Sequence, residues 1–407
     1  MQVVLLEDRR GARFGPLTLL RPEYDLRCGA LTLREKIERR RQDWEVLLLP
    51  RRDLDGLVAE SDPGRGIDRL NGGRTLLMYG RVVADDGLLR AAEAVSGDAL
   101  LVSRGETIGA VLEEGSAERL RAASVADVGL QGMGIGRSVE VQARAARFPW
   151  DLVALTADEI RADARLFPGF GEEPKGELHR CVRMEGEGGV AVGEGSFVGP
   201  SAVLDARKGP VLIGRDVEVM PNAVIVGPAA VGDGSTVRIG AAVYPGSSIG
   251  PVCKVGGEIQ ASVIHSFSNK QHGGFLGHSY VGSWVNLGAA TNNSDLKNNY
   301  GSVRVEIDGE LVDTGSPSVG AVIGDHSKTA IGTRLNTGTV IGIFCNVLAE
   351  GFPPKSIPSF SWGAARGFVR HDSDRAIATA RAVMARRGEV LSPSLEARIR
   401  ALSEPPV

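Results

Sequence analysis

Three of the chain's six histidines, His265, His272 and His278, fall within one polar, glycine-rich stretch, HSFSNKQHGGFLGHSYVG. Histidine exchanges a proton near neutral pH without special tuning, so this stretch is the place to look for general acid–base work. Its glycines let a substrate approach the backbone closely. A second group of reactive side chains lies near the start, in EDRRGARFGPLTLLRPEYDLRCG: Arg9, Arg10, Arg13, Arg21 and Arg27, with Lys36 close behind. Guanidinium groups gathered after a strand suit phosphate oxygens, because their fork of donors matches the geometry of the anion.

The histidine stretch interrupts a regular pattern. From Val190 onward an aliphatic residue followed by glycine recurs at about six-residue spacing, as in Val192-Gly193, Val198-Gly199, Ile213-Gly214, Val226-Gly227, Val231-Gly232 and Ile249-Gly250. The rhythm fails between Ile259 and Gly277 and resumes at Val281-Gly282. Period six with one buried aliphatic per step predicts a parallel β-helix of roughly nine triangular coils, each roughly 18 residues long. Hairpins would alternate with period two instead. No coil buries its apolar face alone, so neighbours must stack. The composition agrees, with 54 glycines and only 5% aromatics. A polar break in such a scaffold marks a candidate site.

The amino-terminal part reads differently. Short apolar runs at Val3–Leu6, Trp44–Leu49, Thr75–Tyr79 and Ala99–Val102 alternate with helical spacing such as LTLREKIERRR, which predicts a Rossmann-like α/β sheet. The organisation expected is an α/β domain over 1–165, a linker over 166–188, the β-helix over 189–350 and a helical tail over 351–407. The prolines of GFPPKSIP stop the repeat, and Asp372 and Ser392-Pro393 begin helices expected to cap its open end. A net charge of −3 argues against nucleic acid as a partner. No apolar run is long enough for a bilayer, and Val3–Leu6 is followed by Glu7-Asp8, unlike a signal peptide. The four dispersed cysteines read as reduced thiols in a cytoplasmic protein.

RPEYDLRCG, FPWDLVALTADEIRADAR, SNKQHGGFLGHS and NLGAATNNSDLKNNYG together resemble a divergent bacterial family of sugar nucleotidyltransferases. That family is similar overall to the bifunctional enzyme that acetylates glucosamine-1-phosphate and then uridylylates the product. The resemblance implies an α/β nucleotidyltransferase-like domain followed by a left-handed β-helix that works as a homotrimer. It also implies acetyl-CoA and UTP as cosubstrates and Mg2+ for nucleotidyl transfer. His272 and Phe275 match a His-x-x-aromatic-x-Gly string whose histidine is the general base, with Phe275 where tyrosine is usual. Asn286, Arg238, Asp295 and Arg304 fall at substrate-binding positions, and Ala289 and Ala349 along the acetyl-CoA cleft. Arg21, Asp25, Arg27 and Lys36 are the expected nucleotide and phosphate ligands.

Two departures stand out. Gln260 replaces a lysine, and Arg81 stands where the metal-binding aspartate belongs. Asp8, Asp25, Asp85 and Asp86 remain as carboxylates for a metal, and the sequence singles out none of them. One alternative is therefore a chain that keeps only one activity, with a nucleotide-binding amino-terminal domain. Another is a non-enzymatic trimeric scaffold.

Overall fold

The computed structural model describes residues 1–8, 13–115 and 129–404; Arg9 and Arg10 lie outside the described residues. A six-stranded sheet forms the amino-terminal domain. Gln2–Leu6 lies between Glu45–Leu49 and Thr75–Tyr79, parallel to both. Glu106–Leu112 and Ala99–Ser103 then add as an antiparallel pair. The central strand is apolar almost throughout because both of its faces are covered. Helices α1 (Leu33–Arg40), α2 (Asp55–Ser61) and α3 (Asp86–Ala94) follow the strands. A capping box between Thr32 and Glu35 starts α1, and the Asp85 carboxylate caps α3.

Helix α4 (Pro149–Asp163) leaves this domain and lies along the second one. Its Leu152 and Val153 pack with Val263, Tyr280 and Val322; Ile160 packs with Ala191 and Leu212. The second domain is a parallel β-solenoid whose three sides form sheets of eleven, six and nine strands. Strand pairing already begins at Glu177–Leu178, within the stretch read as a linker, and the eleven-stranded side ends in a hairpin at Ser361–Ala364 and Gly367–Arg370.

One solenoid corner is built from L-residues in the left-handed region, at positions without glycine: Phe267, Trp284, His326, Phe344 and Phe360, with φ between 54° and 61°. Their rings stack in a ladder, with centroids 4.2 Å apart for Phe267–Trp284 and 4.6 Å for His326–Phe344. Ring contacts of about 0.5–1.5 kcal/mol per pair offset the backbone cost. Helices α5 (Ser373–Ala385) and α6 (Pro393–Ser403) cover this ladder. They run back along the side of the coil, from Phe360 to Val252, and do not cross its open end as expected.

The histidine stretch is not an excursion from the coil. Val263–Ile264, Asn269–Lys270 and Phe275–Gly277 all pair in register with the turns on either side. The excursion comes later: after Asn292–Asn293 the chain leaves the coil, forms a hairpin (Arg304–Ile307 with Glu310–Asp313) and returns at Val322. Val303 and Val305 of this excursion pack on Trp150. The rhythm fails in the sequence because Lys270 takes an inward position that Val255 holds one turn before.

Candidate functional site

Buried Lys270 sets the local architecture. Its ammonium donates to the Gly256 and His272 carbonyls at 3.0 and 3.1 Å, which fixes the corner backbone that carries His272. Burial pulls this ammonium down to about 8. His272 itself is exposed. Gly274, at φ 123°, needs to be glycine, since a Cβ there would meet the Thr291 carbonyl at 2.3 Å. Asn292 accepts from the Phe275 amide at 2.8 Å, and Asn293 clamps both polar groups of Gly277, at 2.8 and 2.9 Å. The asparagine-rich run therefore holds the next strand in place.

Several expected residues fall along one edge. Arg238, His272, Ala289 and Ala349 all sit at the corner that follows the eleven-stranded side, in successive or near-successive coils. Neighbouring coils lie roughly 4.8 Å apart, so this edge could follow an extended ligand. It is also apolar where it is bare: Ile239 is 65% exposed, Ile331 74% and Leu348 42%. Asn286 is exposed on the strand leading to the edge, and Phe275 lies on the strand leaving it.

Asp295 sits elsewhere, at the far end of the Phe275–Gly277 strand. There its carboxylate meets His278 Nδ1 at 2.7 Å. Gly277 makes room for the pair, because a Cβ would come within 2.2 Å of the carboxylate. His278 adopts φ 45° and keeps 29% of its side chain exposed. A carboxylate that fixes one imidazole nitrogen leaves the other turned outward as a base. Pattern reading missed this pair because its members follow different strands, 17 residues apart. Arg304 lies on the exposed face of the excursion hairpin. His265 is fully enclosed, with Nε2 on the Asp25 carbonyl at 3.0 Å, and burial holds it well below the usual imidazole range.

The expected phosphate ligands of the amino-terminal domain are engaged within the chain. Lys36 is a correction: it is completely buried, 2.7 Å from Glu159 and 2.6 Å from Asp163, and meets no solvent. Arg21 pairs with Asp325 of the solenoid. The Arg27 amide donates to the Tyr280 hydroxyl at 2.7 Å, and its guanidinium donates to the Ala30 carbonyl at 2.5 Å. Asp25 pairs with Arg34 at 2.9 Å, and burial pushes its carboxyl up to about 7. Arg21 and Arg27 thereby join the two domains. Arg13 is exposed, 5.6 Å above the Phe148 ring.

The carboxyl edge of the sheet holds a cation of its own. Arg81 is 2% exposed, 3.1 Å from Asp8 and 3.2 Å from Glu106, with Glu23 at 3.9 Å and the Tyr79 ring 4.5 Å beneath. Burial pushes the Glu23 carboxyl well above its usual range, and nearby Glu7 raises it further. The carboxylates that a magnesium ion would need are thus neutralised by a built-in guanidinium. Asp85 caps a helix, and Asp86 lies 3.7 Å from Arg40. No group of three or more His, Cys, Asp or Glu among the described residues is arranged for a metal. The residues present do not fit the implied magnesium.

The chain thus joins an α/β domain to a parallel solenoid. Residues 3–169 match the family described as sugar nucleotidyl transferase. The chain is 28% identical over 192 residues to the bifunctional protein GlmU of Synechococcus sp. (strain CC9311), covering 46% of this chain and 37% of that protein. It is 38% identical over 107 residues to GlmU of Acidithiobacillus ferrooxidans (strain ATCC 53993 / BNL-5-31), covering 26% and 22%. The first of these matches spans roughly a third of the relative's length. Among solved structures, a Francisella novicida UDP-N-acetylglucosamine acyltransferase matches 54% of this chain and 73% of its own, at 13% identity and a TM-score of 0.21. By these matches residues 3–169 are similar to sugar nucleotidyl transferases, and parts of the chain are similar to GlmU.

Proposed function

We propose that the chain works in nucleotide-sugar synthesis. Its solenoid transfers an acetyl group from acetyl-CoA to the amine of an amino-sugar 1-phosphate resembling glucosamine-1-phosphate. The observation that carries this reading is His272, held on a glycine-rich corner one coil before the strand of Asn286 and on the same edge as Arg238, Ala289 and Ala349. An imidazole nitrogen of His272 takes the amine proton as nitrogen attacks the thioester carbonyl. The C–N bond forms, the C–S bond breaks, and the departing thiolate of CoA takes up a proton. Glycine amides of the corner can face the developing oxyanion.

The amino-terminal domain is read as the site of uridylyl transfer from UTP to the sugar 1-phosphate. A second reading, in which this domain only binds nucleotide, is favoured by one specific observation: Arg81 occupies the carboxylate cluster. The bare apolar edge supports a homotrimer, with one copy of the chain covering that edge on the next. Small-molecule substrates account for the exposed polar groups without nucleic acid. No helix among the described residues is long and apolar enough to cross a membrane. The four free cysteines, three of them buried, support a reducing, cytoplasmic setting.

The test is to incubate purified protein with acetyl-CoA and glucosamine-1-phosphate, then with UTP, and to weigh the products. An acetylated sugar phosphate, then its uridylyl adduct, is expected. Recovery of unchanged sugar phosphate would contradict the acyltransferase assignment. Acetylation without the adduct would select the nucleotide-binding reading of the amino-terminal domain.

A further inference from the structure

The eleven-stranded side of the solenoid carries an outward row in strict register: Lys254 pairs with Asn269, Asn269 with Asn286, and Asn286 with Lys328. The end of α5 overhangs this row with Arg386 and Arg387 and closes a cavity of about 360 Å³. Lys254, Lys328, Arg386 and Arg387 all line it, and the stacked Phe267 and Trp284 rings form one wall.

No carboxylate neutralises these cations. Lys328 donates to the His326 carbonyl at 3.0 Å; Arg387 donates to Asn269 Oδ1 at 2.9 Å and to the Val252 carbonyl at 3.3 Å. None of the four is ion-paired among the described residues. The buried cations Lys36 and Arg81, by contrast, are enclosed by acids. Like charges in one cavity repel, and burial lowers Lys328 from its usual range. Such a site is stabilised by an anion that accepts several donors at once, as phosphate does.

The cavity also adjoins the reaction edge. Gln271 and Asn286 line it, and Gln271 directly precedes His272.

We propose that this cavity binds a phosphate group carried by one of the two acyl-transfer substrates, the 3′-phosphate of the acyl donor or the 1-phosphate of the acceptor sugar. The inference rests on the acyltransferase reading for the identity of the ligand and on the unpaired cations for its chemistry. A bound phosphate holds Lys328 charged and fixes α5 on the coil.

The experiment is calorimetric titration of the intact protein with CoA, 3′-dephospho-CoA, glucosamine-1-phosphate and glucosamine. It is repeated for Lys328→Met, for Arg387→Met and, should either loosen α5, for the half-buried Lys254→Met. Affinity for one phosphorylated ligand is expected to fall at least tenfold in each folded variant, while that ligand's dephosphorylated form binds all versions alike. Whichever ligand responds identifies the source of the phosphate. Unchanged affinities in folded variants that still transfer acetyl groups would overturn the pocket and leave the proposed function standing. Pocket-dependent phosphate binding by a wild-type protein that transfers no acetyl group would uphold the pocket and overturn the function.

Discussion

The carboxyl edge of the amino-terminal sheet and the outward face of the solenoid both gather cations, but their charges are balanced in opposite ways. At the sheet edge Arg81 sits among Asp8, Glu23 and Glu106, and behind it Lys36 sits between Glu159 and Asp163. Across the solenoid face Lys254, Lys328, Arg386 and Arg387 share a cavity with no acid. Burying a charge is costly unless a partner compensates it. Lys36 and Arg81, enclosed by acids, serve the fold, as does Lys270 of the solenoid through backbone carbonyls. The four cations that share the solenoid cavity are the ones proposed to receive an external anion.

The contrast breaks most visibly in stability. Lys36→Met leaves Glu159 and Asp163 buried without their shared counter-ion and is expected to cost about 3–5 kcal/mol in urea unfolding. Lys328→Met removes a buried charge that has no acid to strand, so its cost is expected to stay within about 0.5 kcal/mol. Equal losses would show that Lys328, too, is a structural cation.

A pH series tests the ring ladder, with a comparable effect spread over several pH units. Burial pulls His326 down to about 3, so the folded state binds this proton less readily than the unfolded one. The stability it contributes is complete above about pH 6.5 and is lost as pH falls toward 3, by about 1.4 kcal/mol per pH unit. His326→Phe keeps the ring stack and should flatten that slope; an unchanged slope would assign it to other groups, such as His265.

The smallest expected effect concerns the metal. With Arg81 filling the carboxylate cluster, UTP binding to the protein should be the same in EDTA as in magnesium. A marked gain in affinity with magnesium, measured by calorimetry, would mean that carboxylates other than those paired with Arg81 hold the ion.

The solenoid was legible in the sequence because its signal is local: one aliphatic and one small residue recur about every six positions. The strands Gln2–Leu6, Glu45–Leu49 and Thr75–Tyr79 were legible for the same reason, as apolar runs ended by charge or glycine. The proposal for His272 rests on a short string. What stayed hidden depends on partners distant in sequence. Arg21 looks like a phosphate ligand until Asp325 comes beside it, and Lys36 until α4 folds back with Glu159 and Asp163. His278 looks like a bystander until stacking of the coil delivers Asp295. The failed rhythm was real, but its cause is a lysine turned inward beneath the corner, and the chain leaves the coil only after Asn293.

The proposed base of an acyl transfer on the solenoid is His272, and not His278 with its Asp295 partner. Its most direct test is the rate of thiol release from acetyl-CoA in the presence of glucosamine-1-phosphate, for wild type, His272→Ala and His278→Ala. A fall of about a hundredfold or more is expected for His272→Ala and a clearly smaller one for His278→Ala. A His272→Ala rate equal to wild type, with His278→Ala inactive, would contradict it and move the chemistry to the corner where Asp295 orients the imidazole.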